Sequence, residues 1–194
     1  MACGEIRLCG NVPGRLFRIS FSGELAYEIA VPARYGDALM RALMVAGEEF
    51  AIVPYGTEAL NVMRIEKGHA AGNELNGQTT AHDLTMGHML SKSTDYIGTV
   101  LSKRPALCSR ERPTFTGLRP VNRSKTLIAG SHIFAKGKER ITKNDEGWIS
   151  SVAFSPTLGY SIGLGFIKYG PKRIGEIISS VNPLQGENIE AEVV

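Results

Sequence analysis

The stretch "GYSIGLGFI", residues 159–167, constrains the fold more than any other. Tyr160, Ile162, Leu164 and Phe166 alternate with Ser161, Gly163 and Gly165. A period of two is that of a strand, and glycine on the alternate face lets another backbone approach closely. Short apolar runs recur through the same half of the chain, at "FTGLRPV", "LIAGSHIFA", "ERITK" and "GWISSVAF". "KGK" (136–138) and "NDEG" (144–147) supply turns between some of them. That spacing predicts a small sandwich or barrel.

The first half has a different grammar. Phe17, Ile19 and Phe21 alternate with Arg18, Ser20 and Ser22; Leu25, Tyr27, Ile29 and Val31 alternate with Glu24, Ala26, Glu28 and Ala30. With Ser22-Gly23 between them, the two runs predict a tight β-hairpin ended by Pro32. Tyr27 falls on its core side. Ala38, Leu39, Ala42, Leu43 and Ala46 recur at helical spacing, so residues 33–47 are expected to be helical. A second helix is expected from Thr57, as its cap, to about Lys67. "TAHDLTMGHMLS" and "DYIGTVLSK" predict short helices, with Thr80 or Asp95 as a cap. "KRPALCSRERPTF", with its two prolines, marks a boundary between subdomains.

Hydrophobic residues make up 43% of the chain and charged residues 21%, as in soluble globular proteins. A net charge of +3 does not argue for a nucleic-acid or membrane partner. No apolar run is long enough for a membrane helix, and no signal peptide is visible. Three cysteines without a C-x-x-C indicate neither a disulfide framework nor a zinc site, which makes a cytoplasmic location the simplest expectation. His82 and His88 are six apart, the wrong spacing for two ligands on one helix face, so no metal site is expected. The abrupt start suggests a piece of a longer chain.

Two residues stand out as candidate ligand contacts. Glu28 lies between Ala26 and Ala30 on its strand face. A carboxylate among small side chains either floors a pocket for a flat ligand presenting two N–H groups, or belongs to an ordinary solvated face. Arg64 sits in "EALNVMRIEKG", a helix apolar almost all round and therefore largely buried. A buried arginine needs an anionic or carbonyl partner: Glu28, Glu66 or a ligand.

Three blocks, "RISFSGELAYEIAVPARYGDALMRALMVAG", "VPYGTEALNVMRIEKGHAAGNELNGQTT" and "SPTLGYSIGLGF", in this order, resemble the folate-binding aminomethyltransferase family that includes the glycine-cleavage T-protein. The wording "GHAAGNELNGQTTAHDL", with "DYIG" and "GLRPV" following, is most similar to the branch found at the C-terminal end of the α subunit of heterotetrameric sarcosine oxidases. The resemblance implies an α+β chain. Residues 1–112 would be the C-terminal portion of an incomplete folate-binding aminomethyltransferase domain, and 113–194 a small all-β barrel-like C-terminal domain.

It further implies binding of tetrahydrofolate, with Glu28 as the acid of the "YEI" motif and Arg64 as the arginine of the "R-x-E" helix. The assembly would oxidise sarcosine to glycine and hydrogen peroxide, capturing the one-carbon unit as 5,10-methylenetetrahydrofolate. Flavins, NAD and the other oxidase subunits would lie elsewhere in it, and neither nucleic acid nor membrane is an expected partner. The family's catalytic carboxylate and its C-terminal arginine have no counterpart here, so no catalytic residue is assigned and the chain alone is expected to be inactive. Phe21 stands where T-proteins often carry a tyrosine. A glycine-cleavage aminomethyltransferase with a lipoyl-protein partner is the alternative. The folate-dependent RNA-modifying relative is disfavoured, because its reactive cysteine is replaced by His69.

Overall fold

A computed structural model of the chain describes residues 2–194. It divides into two compact units, Met1–Lys67 and Gly68–Val194.

The first unit is built on a three-stranded antiparallel sheet with β2 in the middle: β1 (Ala2–Leu8), β2 (Val12–Arg18) and β3 (Glu28–Ala30). β1 and β2 form a hairpin whose turn, Cys9–Gly10–Asn11, has positive φ at all three residues. This hairpin was not expected, because alanine and glycine at 2 and 4 give half of the β1 alternation no apolar signal. Ile6, Leu8, Val12, Leu16 and Ile29 share one face of the sheet and are buried or half-buried. The other face, with Cys3, Glu5, Arg7, Arg15 and Glu28, is exposed.

The hairpin expected around Ser22-Gly23 is wider than a tight turn. β2 and β3 pair only over Arg15↔Ala30, Leu16↔Ile29 and Phe17↔Glu28, and residues 19–27 form an open loop. Gly23, at φ 103°, sits at its tip and donates its N–H to Ser20 Oγ at 2.8 Å. Tyr27 therefore precedes the ladder, and its expected core position is corrected. It is 55% exposed, with the Arg18 guanidinium 5.5 Å from its ring centroid.

A 3-10 turn at Ala33–Tyr35 leads into α1 (Gly36–Gly47), within the span expected to be helical. Only Asp37 and Arg41 interrupt its apolar composition, and they form an i,i+4 ion pair. Even so, Met40, Leu43 and Val45 are exposed. α2 spans Thr57–Glu66. Its N-cap is Gly56 in extended conformation, so Thr57 is the first helical residue rather than the cap.

The second unit opens with turns and short 3-10 segments, followed by the four-residue helix α3 (Thr99–Ser102). The expected helix over residues 80–91 is instead a series of turns with a 3-10 segment at Gly87–Met89. Thr80 does cap locally: its Oγ1 accepts from Asp83 N at 3.2 Å, while Asp83 Oδ2 accepts from Thr80 N at 2.8 Å.

The remaining strands are β4 (Pro113–Pro120), β5 (His132–Ala135), β6 (Gly147–Ser155), β7 (Tyr160–Lys168), β8 (Ile177–Asn182) and β9 (Glu187–Val193). They form a closed antiparallel barrel in the order β4-β7-β6-β5-β8-β9, with β4 pairing back onto β9 through Leu118↔Val193. Closure leaves no unpaired edge. Leu118, Leu127, Ile133, Ile149, Ile167, Ile178 and Val193 fill its core. The glycine face of β7 accepts a neighbouring backbone, as its alternation predicts. A Cβ on Gly165 would stand 2.6 Å from the Trp148 carbonyl oxygen. Among the described residues no helix is long and apolar enough to cross a membrane.

Candidate functional site

Side chains directly opposite in an antiparallel pair lie on the same face. Phe17 is therefore the cross-strand neighbour of Glu28, and Cys3 continues the row on β1. The next row of the same face is Glu5, Arg15 and Ala30, and the one beyond it begins with Arg7 and Pro13. Glu28 is exposed and its carboxylate makes no hydrogen bond or ion pair among the described residues. Both oxygens are thus available as acceptors. Ala30 keeps the neighbouring strand position small, whereas Ala26 lies outside the ladder, in the loop.

Beside this row the sheet carries a cavity of about 550 Å³, lined by Arg7, Pro13, Arg15, Ala30 and Pro32 among others. That volume is in the range of small-molecule sites. A face combining a free carboxylate, an aromatic ring and a neighbouring groove fits a flat heterocycle that presents adjacent N–H groups. A carboxylate accepts such a pair of bonds directionally, and an aromatic side chain offers a surface against which a ring packs.

Arg64 is 5% exposed, in the last turn of α2 beside buried Ile65. Its confinement follows the expectation from the apolar helix. Its Nε donates to Asn61 Oδ1, one turn earlier, at 2.8 Å. It is not ion-paired with Glu28, which stands exposed on the sheet. The end of α2 is nevertheless tied to the segment leading into β3. Lys67 Nζ donates to Ser20 O at 2.6 Å, and the Lys67 side chain packs at Gly23. The helix bearing Arg64 and the loop preceding Glu28 are held together by that contact.

In the second unit, the loop "GNELNGQTT" is fixed by two carboxylates. Glu74 is fully buried and accepts from Ser150 Oγ and Ser151 Oγ at 2.6 Å each, and from Ala71 N at 3.0 Å. Ser150 and Ser151 sit where the register of β6 shifts, which turns both hydroxyls toward it. Asp83 accepts Arg112 Nε at 2.9 Å and Arg112 Nη2 at 2.6 Å. Burial alone would raise the Asp83 carboxyl, but the Arg112 and Thr80 hydrogen bonds and the guanidinium charge outweigh it, and the net shift is downward. Among the described residues no His, Cys, Asp and Glu side chains cluster as a metal site.

Sequence reasoning singled out Glu28 and Arg64 but passed over Phe17, Arg15 and Asn61. Phe17 was legible, since a hairpin centred on Ser22-Gly23 places it opposite Glu28. Arg15 was not, because the strand carrying it begins before the alternation does. Asn61 lies one helical turn from Arg64, a spacing that allows such contacts.

Comparison with known proteins also divides the chain in two, at a later boundary than the two compact units. Residues 1–94 match the family model described as the GCVT N-terminal domain, and residues 114–194 match the glycine cleavage T-protein C-terminal barrel domain. The sarcosine oxidase subunit alpha of Rhizobium meliloti (strain 1021) is 43% identical over the whole of this chain, and that of Corynebacterium sp. (strain U-96) is 36% identical. In each case the chain spans only 20% of the relative's length. An aminomethyltransferase from Chloroherpeton thalassium is 28% identical over 95% of the chain and 50% of its own length. The fold is that of the crystal structure of glycine cleavage system aminomethyltransferase T from Bartonella henselae. The TM-score is 0.76 at 22% identity, covering 93% of this chain and 48% of that one.

Proposed function

This chain belongs to the glycine cleavage T-protein family, and we propose that it is the tetrahydrofolate-binding part of a sarcosine oxidase α subunit. The observation that carries the folate reading is Glu28, a free, exposed carboxylate facing Phe17 beside a groove. A reduced pterin is flat and presents an amino group beside a ring N–H. Glu28 accepts both, Phe17 packs against the ring edge, and Ala30 leaves room. Arg64 supports the site from α2, held in one orientation by Asn61. When bound, tetrahydrofolate supplies the acceptor for a one-carbon unit. The residues of this chain bind and orient it, and none is assigned a catalytic role.

On this reading residues 1–112 belong to the folate-binding domain and 113–194 form its C-terminal barrel. The complete assembly oxidises sarcosine with oxygen to glycine and hydrogen peroxide, and the one-carbon unit leaves as 5,10-methylenetetrahydrofolate. Flavins and NAD are held by other parts of the assembly, in the cytoplasm, together with the other oxidase subunits. The identity of 43% to the Rhizobium meliloti sarcosine oxidase subunit, against 28% to the Chloroherpeton aminomethyltransferase, favours the oxidase over a glycine-cleavage enzyme.

The discriminating experiment follows sarcosine-dependent hydrogen peroxide and 5,10-methylenetetrahydrofolate in the complete assembly with wild-type chain and with Glu28→Gln. Peroxide retained and methylenetetrahydrofolate lost in the variant is the expected result. Sarcosine left untouched, with aminomethyl transfer from a lipoyl protein instead, would replace the oxidase reading by the glycine-cleavage one.

A further inference from the structure

The second unit holds a cavity that the folate reading leaves unused. It measures about 420 Å³, within the range of small-molecule sites, and Gln78, Thr79, Leu107, Arg112, Pro113 and Trp148 are among its lining residues. Ile149 and Ile167 belong to the barrel core, so their strand neighbours Trp148 and Phe166 point outward. Trp148 stacks on Phe166 with ring centroids 5.1 Å apart, and Phe166 is backed by Phe115 at 5.5 Å. Phe166 is buried, but 38% of Trp148 stays exposed at the cavity. An indole steadied by a neighbouring ring is a platform for a flat ligand.

Two polar groups line the same cavity, both held by their surroundings. The Gln78 backbone is pinned on both sides: its N–H donates to Asn76 Oδ1 at 2.9 Å, and its carbonyl accepts from Arg112 Nη2 at 2.7 Å. Its side-chain amide makes no hydrogen bond among the described residues. Arg112 is clamped to Asp83 through Nε and Nη2, which leaves Nη1 without a partner among the described residues. Asp83, its carboxyl held low by that contact, offsets the guanidinium charge. The wall thus offers a fixed donor with little net attraction for anions.

We infer that this cavity binds an adenosine moiety, with the base packed against Trp148 and read by the Gln78 amide. A carboxamide presents one donor and one acceptor side by side. Adenine matches that pair with N7 as acceptor and its exocyclic amino group as donor. Hypoxanthine sets a second acceptor where the amino group stood, and so mismatches it. Arg112 Nη1 is the donor for a ribose oxygen. None of these residues belongs to the unit that carries Glu28.

Trp148 is the single tryptophan of the chain, so its fluorescence reports on this cavity alone. The test titrates the full chain with adenosine and with inosine, at low and high salt. Adenosine should quench Trp148 saturably. Inosine should bind about five- to hundredfold more weakly, and salt should change neither by more than about twofold. Gln78→Ala should erase the preference, a change that a merely damaged fold would not confine to one of the two ligands. By calorimetry, Trp148→Leu should weaken adenosine binding about fivefold or more, and Trp148→Phe by less. Glu28→Gln should bind adenosine as the wild type does. AMP run in parallel identifies the source of the moiety: binding at least as tight as adenosine assigns the site to nucleotides, and exclusion assigns it to the free nucleoside.

Adenosine and inosine bound alike, with Gln78→Ala moving neither, would overturn the inference. So would undiminished adenosine binding by Trp148→Leu, or no saturable quenching in a wild type shown to be folded by circular dichroism. Each of these results would leave the folate reading standing. Adenosine binding that vanishes in Glu28→Gln would also overturn the inference, because the ligand would then occupy the folate site.

Discussion

Phe17 and Glu28 face each other across β2 and β3, the last pair of that ladder before the chain opens into the 19–27 loop. An aromatic ring and an unpaired carboxylate thus share one row of an exposed sheet face. If Phe17 packs against the bound ring, Phe17→Ala should weaken reduced-folate binding by about 0.5–1.5 kcal/mol, and Phe17→Leu by less. Fluorescence titration of both variants checks this. Equal, negligible effects would remove Phe17 from the site.

Arg64 is expected to matter first for stability. Arg64→Ala removes a buried side chain in the last turns of α2, together with its 2.8 Å bond to Asn61, and should cost about 1–3 kcal/mol, chiefly through lost packing of the arginine stem. Arg64→Lys should not restore that bond, because lysine cannot place a donor at the Nε position. Urea unfolding followed by circular dichroism measures both.

Gly165 should tolerate no side chain. A Cβ there would press on the Trp148 carbonyl at 2.6 Å, a backbone atom that cannot rotate away. Gly165→Ala is expected to destabilise by about 1–3 kcal/mol. Gly4→Ala, with nothing within 4 Å of the new methyl, should stay within about 0.5 kcal/mol of wild type. Thermal melts of the pair provide the comparison.

The barrel unit should lose stability on acidification through carboxylates held by arginines. The net shift of Asp83 is downward despite its burial, through Arg112 and Thr80, and Arg173 holds Glu176 low with bonds of 2.8 and 2.6 Å. Carboxyls depressed in the fold stabilise it fully above their unfolded values, near about pH 4, and this contribution disappears as pH falls through their lower folded values. Stability should therefore be flat from neutrality to about pH 5 and fall below about pH 4. Asp83→Asn should be less stable at pH 7 and show a shallower acid limb.

The legibility of this chain follows the strength of its patterns. The barrel was visible because β7 alternates large apolar residues with serine and glycine from Tyr160 to Phe166. The burial of Arg64 was visible because its helical neighbours are apolar. The hairpin centre was visible too, since the Phe17–Glu28 pair is symmetrical about Ser22-Gly23. Its width was not, because alternation continues through residues 19–27 although the strands have already parted. β1 was silent because Ala2 and Gly4 carry no hydrophobic signal. The exposure of α1, apolar almost all round, cannot be read from its own sequence, since composition does not say what packs against a helix.

The most direct test of the central claim is calorimetric titration of the folded chain with 5-formyltetrahydrofolate, beside Glu28→Gln. Saturable heat in the wild type that the variant loses, with both proteins giving the same circular dichroism spectrum, is the predicted result. Equal binding by the two proteins, or none by a wild type shown to be folded, would contradict the assignment of Glu28 as the residue that recognises the pterin.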